Sequence, residues 1–372
     1  MQHHRARLRL VSLTIAGFAL VAAACGSDSS SSPATEKPSD TTTAQSNTPE
    51  TTAGDTTVPD TTASADLPDT ITIGYQNVPN GDLVVKHDKL LETAFGDSVK
   101  VEWKLFDSGG SVNEAVVAGA VDIGLVGSSP ASRGISTGIE YQIPWIFDVI
   151  GKAEALVVKG DSGITSLADL KGKTIATPFA STSHYSLLAA LDDAGIAESD
   201  VNIIDAEPDA IYAAWQQGDI DGAYVWNPNL AKLVDDGGKV LITSEDLAKK
   251  GKTTYDLAIV TNDFASKYPG AVQTWIEQQN AAVQKIKTDP DAAAESVAAE
   301  LNITPEEAKQ QLSELIFLEA SEQIGPDYLG GGLAANLFAA AQFNLELGKI
   351  ESIKEEADYQ AAVVTTFAAA VK

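Results

Sequence analysis

The sequence predicts an α/β protein of two lobes with a ligand cleft between them, and three observations carry that reading. The first is a repeated junction of strand, small polar turn and helix. Thr174-Ile175-Ala176 is a short apolar run bounded by Gly172 and Pro178, followed by Ala180-Ser181-Thr182-Ser183 and by Leu187, Leu188, Leu191 and Ala194 at helical spacing, with Gly195 as the stop. Val99 to Phe106 alternates Val99, Val101, Trp103 and Leu105 on one face, then enters Asp107-Ser108-Gly109-Gly110-Ser111 and a helical stretch from Val112. Val121 to Val126 enters Gly127-Ser128-Ser129-Pro130, with Pro suited to a first helical turn. The first N–H groups of each helix have no intrahelical acceptor and sit at the positive end of its dipole, so such a start can receive an oxyanion. In a mostly parallel sheet these turns collect at the carboxyl edge, where open α/β folds bind ligands.

The second observation is an internal similarity. AVVAGAVDIGLVGSSP (Ala115 to Pro130) and AAWQQGDIDGAYVWNP (Ala213 to Pro228) both read helix end, Gly, apolar-Asp, strand, turn and Pro, as one unit used once in each lobe. Asp122 and Asp221, at matching places, are expected to hold backbone N–H groups rather than a ligand. The third is a pair of β-like runs, Ala155 to Val158 and Leu257 to Val260, read as the two crossings between lobes. Ile71 to Tyr75 opens the first lobe as a strand, with Leu83 to Phe95 as its first helix. Amphipathic Ala-rich stretches at Ala271 to Ile286, Thr304 to Leu318 and Leu333 to Leu347 are expected to pack over that lobe. The layout is 70–152 first lobe, 153–261 second lobe, and 262–372 C-terminal helices of the first.

Upstream, Arg5, Arg7 and Arg9 precede an uncharged apolar run, Leu10 to Ala24, that is short for a membrane span and reads as a signal segment, 1–24. Ala22-Ala23-Ala24-Cys25-Gly26 resembles the lipobox of bacterial lipoproteins, with Ala22 where that motif usually has Leu. Cys25, the chain's one cysteine, is expected to carry the lipid, and no disulfide framework is possible. Residues 25–69 are Ser-, Thr-, Pro- and Asp-rich and too poor in apolar groups to offset ordering, so they read as a disordered tether. The chain is therefore expected outside the cytoplasm, anchored to the cell membrane. Its 25 Lys and Arg against 52 Asp and Glu give a net charge of -27, and no basic run is present, which excludes nucleic acid as a partner.

Longer stretches resemble a known family. FDSG (Phe106 to Gly109), GSSP (Gly127 to Pro130), EALVVK (Glu154 to Lys159), STSHYSLLAAL (Ser181 to Leu191) and AAWQQGDIDGAYVW (Ala213 to Trp226) are similar to the taurine-binding proteins of bacterial ABC importers, within the sulfonate, nitrate and thiamine-precursor group. The C-terminal third matches only loosely. The resemblance implies a two-lobed periplasmic-binding-protein fold of type II, with two hinge crossings and one small ligand in the interlobe cleft. It implies a monomer that binds taurine or a close amino-sulfonate and passes it to a cognate ABC permease.

Taurine is a short zwitterion, and its two ends need different partners. For the sulfonate, the neutral donors are Gln76, Ser108, Gly109, Ser128, Ser129, Thr182 and the backbone around Ser183, which suit a permanently charged oxyanion. For the ammonium, the resemblance points to the carboxylate of Asp256 in Thr253-Thr254-Tyr255-Asp256, with Glu154 as second choice. Trp226 could wall the carbon bridge or sit over a cation, or belong to the core, as Trp103 and Trp145 are read to do. His184 is placed at a helix start near the sulfonate, or else packs or caps there.

An enzyme finds little support in these residues. Beyond His3 and His4 only His87 and His184 remain, no Gly-x-Ser-x-Gly elbow surrounds a serine, and no cluster suits a metal, so no metal or cofactor is expected. The readings kept beside taurine are an alkanesulfonate, aminoethylphosphonate or nitrate binder and, less favoured, a hydroxymethylpyrimidine-forming homologue or hydrolase on the same fold.

Overall fold

Ten short runs of mostly apolar residues become strands in the computed structural model, which describes residues 67–372. The signal segment, Cys25 and nearly all of the tether lie outside the described residues. The strands are β1 (Thr70–Tyr75), β2 (Lys100–Leu105), β3 (Ile123–Gly127), β4 (Tyr141–Val149), β5 (Glu154–Lys159), β6 (Thr174–Thr177), β7 (Asn202–Asp205), β8 (Gly222–Trp226), β9 (Gly238–Thr243) and β10 (Tyr255–Thr261). They form two five-stranded sheets of orders β2-β1-β3-β10-β4 and β7-β6-β8-β5-β9. Each has three parallel strands, a fourth antiparallel to them and a fifth antiparallel to the fourth, so the sheets repeat one plan.

The internal similarity falls on equivalent places in that plan. Asp122 Oδ2 accepts the Thr72 N–H at 2.8 Å, where β1 begins beside β3. Asp221 Oδ2 accepts the Thr174 N–H at 2.9 Å, where β6 begins beside β8. Both carboxylates thus join neighbouring parallel strands, serving a backbone N–H as expected but across the sheet rather than within a turn.

Two sequence expectations change. Ala155 to Val158 and Leu257 to Val260 are not the crossings but buried inner strands of the two sheets. The crossings are the short segments just before them, and β10 belongs to the first sheet, so the second lobe ends before Tyr255 rather than at residue 261. An apolar run buried on both faces reads the same in either sheet, which is why its pattern did not assign it. The expected helix from Leu83 to Phe95 is two, Gly81–His87 and Leu90–Phe95, broken at Lys89 in the left-handed region. Asp88 at that break is held by Lys285 at 2.6 Å and by the Ser296 hydroxyl at 2.8 Å, both from C-terminal helices.

Those helices cover the first lobe as expected: Trp275, Leu312, Leu333 and Leu337 share one core with Ile71, Ile123 and Ile259. The helix Gly332–Glu346 also reaches the second lobe, where Phe343 meets Tyr185 edge-on at 5.3 Å. The lobes touch across the cleft as well. The Ser108 hydroxyl donates to Glu207 Oε1 at 3.1 Å, and Gly127 lies so close to Thr182 that a Cβ there would stand 2.5 Å from the Thr182 methyl.

If the repeat is read correctly, Asp122→Ala and Asp221→Ala should each lower stability by about 1–2 kcal/mol, the worth of a hydrogen bond to a partly exposed charged acceptor. Urea denaturation checks this. A loss confined to one of the two would contradict their equivalence.

Candidate functional site

The carboxyl ends of the parallel strands face each other across a cleft with about 440 Å³ of empty space, its open mouth included. The first lobe lines it with Gln76, Val78, Pro79, Gly109, Gly127, Pro130 and Asp256, and the second with Glu154, Ser181, Thr182, Trp226 and Asn227. Ile150 and Ala153 come from the first crossing, and Leu315 from the C-terminal region.

The three predicted junctions meet here. Ser181 caps the helix Thr182–Asp193, its hydroxyl oxygen accepting the His184 N–H at 3.1 Å. The N–H groups of Thr182 and Ser183 make no hydrogen bond among the described residues, nor do those of Gly109 and Gly110 opening the helix Gly109–Val117. Four N–H donors from two lobes therefore stand open at helix starts, two with a positive dipole end in each lobe.

The side-chain hydroxyls are committed elsewhere. Glu154, buried at the start of β5, accepts from Thr182 Oγ1 at 2.5 Å, Ser183 Oγ at 2.8 Å, Ser186 Oγ at 3.3 Å and Ser244 Oγ at 2.6 Å. Both of its oxygens are filled, so it organises the second lobe's face instead of offering a free carboxylate. Burial raises its pKa while the four hydroxyls oppose that rise. Thr182, fixed by this bond, turns its methyl to Gly127.

Asp256 differs. It lines the cleft from β10 and is buried, with no Lys or Arg partner. Desolvation first, and the charge of Glu154 second, push its pKa up to about 7. Opposite it in the antiparallel register of β4 and β10 is Asp148, entirely buried, behind the lining. Its Oδ2 accepts from Asn80 Nδ2 at 3.5 Å and its buried Oδ1 has no hydrogen-bond partner among the described residues. Burial, then the Asp256 charge, raise its pKa far above the usual carboxylate range.

Among the ten residues predicted for a ligand, Gln76, Gly109, Thr182, Trp226, Asp256 and Glu154 line the cleft. Gln76 gives one amide hydrogen to the Leu125 carbonyl at 2.8 Å. Ser108, Ser128, Ser129 and His184 do not line it. Ser108 bonds Glu207, and Ser128 Oγ accepts the Tyr255 N–H at 3.2 Å, tying a helix start to β10. His184 packs and caps: it stacks on Phe179 with ring centroids 4.4 Å apart, and its Nδ1 accepts the Ala180 N–H. Burial, then Lys349 and Arg133, lower its pKa to about 4, so it is neutral at physiological pH. Sequence reasoning missed Asp148, Asn227 and Leu315. Asn227 follows Trp226 in a quoted motif, whereas nothing local marked the other two.

A two-lobed α/β protein with its cleft between matching sheets is a solute-binding architecture, and the comparisons agree. Residues 69–301 match the substrate-binding domain of ABC-type glycine betaine transport systems, and the chain belongs to that family. The taurine-binding periplasmic protein of Escherichia coli (strain K12) is 37% identical over 303 residues, 80% of this chain and 92% of that protein. The alkanesulfonate-binding protein SsuA from Xanthomonas axonopodis pv. citri, solved with MOPS bound, superposes with a TM-score of 0.64 at 23% identity, covering 82% of this chain and 99% of that one. The same fold serves catalysis elsewhere: the desulfurization enzyme DSZB matches with a TM-score of 0.58 at 17% identity, over 81% of this chain and 99% of its own. Among the described residues no helix is long and apolar enough to cross a membrane.

The buried acids set a pH dependence. Asp82, Asp148, Glu154 and Asp256 all have folded-state pKa values above their ordinary ones, with burial the leading cause. Each then binds a proton more tightly folded than unfolded, so its contribution is full below pH about 4 and is lost as pH rises through its folded-state pKa, about 7 for Asp82 and Asp256. Urea denaturation of the ligand-free protein should give greater stability at pH 5.5 than at pH 8, counting these groups alone. Stability increasing steadily over that interval would contradict the assignment.

Proposed function

We propose that this protein is the extracytoplasmic solute-binding component of an ABC importer, that it binds taurine or a closely related amino-sulfonate without chemical change, and that it delivers it to a membrane permease. One observation carries the reading. Four open N–H donors stand at two helix starts whose first residues, Gly109 and Thr182, line the cleft, and Asp256 is a lining carboxylate with neither a cation nor a hydroxyl shell. A sulfonate offers three oxygens to the first set, and a primary ammonium offers three hydrogens to the second.

Closure follows from the same geometry. Gly109 and Gly110 belong to one lobe and Thr182 and Ser183 to the other, so an oxyanion between them binds the closed form better and shifts the lobes toward it. The family's description names glycine betaine, but a quaternary ammonium donates no hydrogen bond and is held by aromatic faces. Trp226 is the one aromatic residue among those lining the cleft, and the buried acids favour a hydrogen-bonding cation. Nitrate and plain alkanesulfonates would leave Asp256 buried and unpaired, a costly state. An enzyme in the manner of DSZB is the second reading, but the hydroxyl and carboxylate that meet at the cleft, Thr182 and Glu154, belong to the buried network that fixes the helix start. We further propose that Cys25 carries a lipid that tethers a monomeric binding domain to the outer face of the cell membrane through residues 25–69.

Titration calorimetry of the full chain against taurine, hypotaurine, aminoethylphosphonate, ethanesulfonate and nitrate tests the reading. Taurine or hypotaurine should bind at least tenfold more tightly than ethanesulfonate, about the worth of one charge-assisted contact. Asp256→Asn should abolish most of that preference, weakening taurine binding and raising ethanesulfonate affinity by relieving the unpaired buried charge. Equal affinity of the unaltered protein for taurine and ethanesulfonate would defeat the reading.

A further inference from the structure

Asp148 has no evident structural task that requires an acid. It is fully buried at the end of β4, with Asp256 from β10 directly opposite and Glu154 from β5 beyond. These are the ionisable groups acting on it, and both are acids; Asn80, which donates to its Oδ2 at 3.5 Å, is neutral. No Lys or Arg forms an ion pair or hydrogen bond with Asp148 among the described residues. Two carboxyls within hydrogen-bonding reach in an apolar setting cannot both hold a full charge, so one of them keeps a proton.

The surroundings decide which. Asp256 lines the cleft, whereas Asp148 lies behind it, paired with Asp256 across the strands and with one buried oxygen that no donor reaches. A proton on Asp148 makes a bond directed at Asp256 and leaves the negative charge facing the ligand. A proton on Asp256 would leave that charge inside the protein with only a long bond from Asn80. On these grounds, and resting on the amino-sulfonate reading above, we propose that Asp148 is a positioning residue. Its neutral carboxyl donates a hydrogen bond to Asp256, aims that carboxylate into the cleft and holds it anionic for a ligand ammonium. Below neutral pH Asp256 takes up a proton in the empty cleft, and a bound ammonium must displace it to solvent.

The expected behaviour separates two substitutions. In Asp148→Asn the amide N–H can replace the carboxyl O–H as donor, whereas Asp148→Ala removes the donor. Calorimetry of the full chain with taurine from pH 5.5 to 8.5 should show affinity falling below neutral pH. Asp148→Asn should keep it within about threefold at pH 8, and Asp148→Ala should lose roughly tenfold and begin to fall at higher pH, as expected for a lost bond to a charged acceptor. Equal losses in the two variants at pH 8 would overturn the proposal. A measurement without ligand keeps the question separate from ligand identity. The infrared difference spectrum at pH 8 between the unaltered protein and Asp148→Asn should contain one protonated-carboxyl band, and its absence would also overturn the proposal. If the unaltered protein binds no taurine, the ligand reading fails, and the infrared result alone decides the state of Asp148.

Discussion

The ligand face of the second lobe depends on one buried carboxylate. Glu154 begins β5 immediately after the first crossing and gathers hydroxyls from the helix Thr182–Asp193 and from Ser244. An isolated carboxylate so deeply buried is costly, and four hydroxyls are what make it tolerable without a cation. The same bonds fix the crossing strand, the helix start and the approach of Thr182 to Gly127. The cleft inherits its shape from them: with the hydroxyls bound inward, the backbone N–H groups of that helix start are what remain for an anion.

The opposite end is organised by a different balance. Asp256 has burial but no shell of donors, and Asp148 behind it adds a second acid rather than a base. Such a cluster is stabilised by protons or by a cation, so the ligand's charge and the protein's protonation compete for one place. This separates the site from one for a quaternary ammonium, in which aromatic faces do the work. It also makes an anion without an amine a poor match, although the N–H groups alone could hold its oxygens. On the proposed reading, specificity resides less in attraction for the sulfonate than in the penalty for leaving Asp256 unpaired.

Much of this was legible in the chain because it is local. Strand, turn and helix are written within twenty residues at each of the three junctions, and the repeated unit that carries Asp122 and Asp221 predicted the matching halves of the two sheets. What could not be read was non-local. The run Leu257 to Val260 fits either sheet by its apolar pattern, and only pairing with β3 and β4 assigns it. Thr182 was visible as a donor, but its direction toward Glu154, 28 residues upstream, was not, and nothing marked the hydroxyls of Ser183, Ser186 and Ser244 that reach the same carboxylate. Asp148 sits in an otherwise apolar strand, and its meaning exists only opposite Asp256.

The most direct test of the central claim, that the two ends of the cleft hold the two ends of an amino-sulfonate, is a crystal structure of the protein grown with taurine. The ligand nitrogen should lie within about 3 Å of an Asp256 carboxylate oxygen, hydrogen-bonding distance. The sulfonate oxygens should accept from the N–H groups of Gly109 or Gly110 in one lobe and of Thr182 or Ser183 in the other. Taurine bound in the reverse sense, or held by one lobe only with Asp256 unengaged, would contradict it.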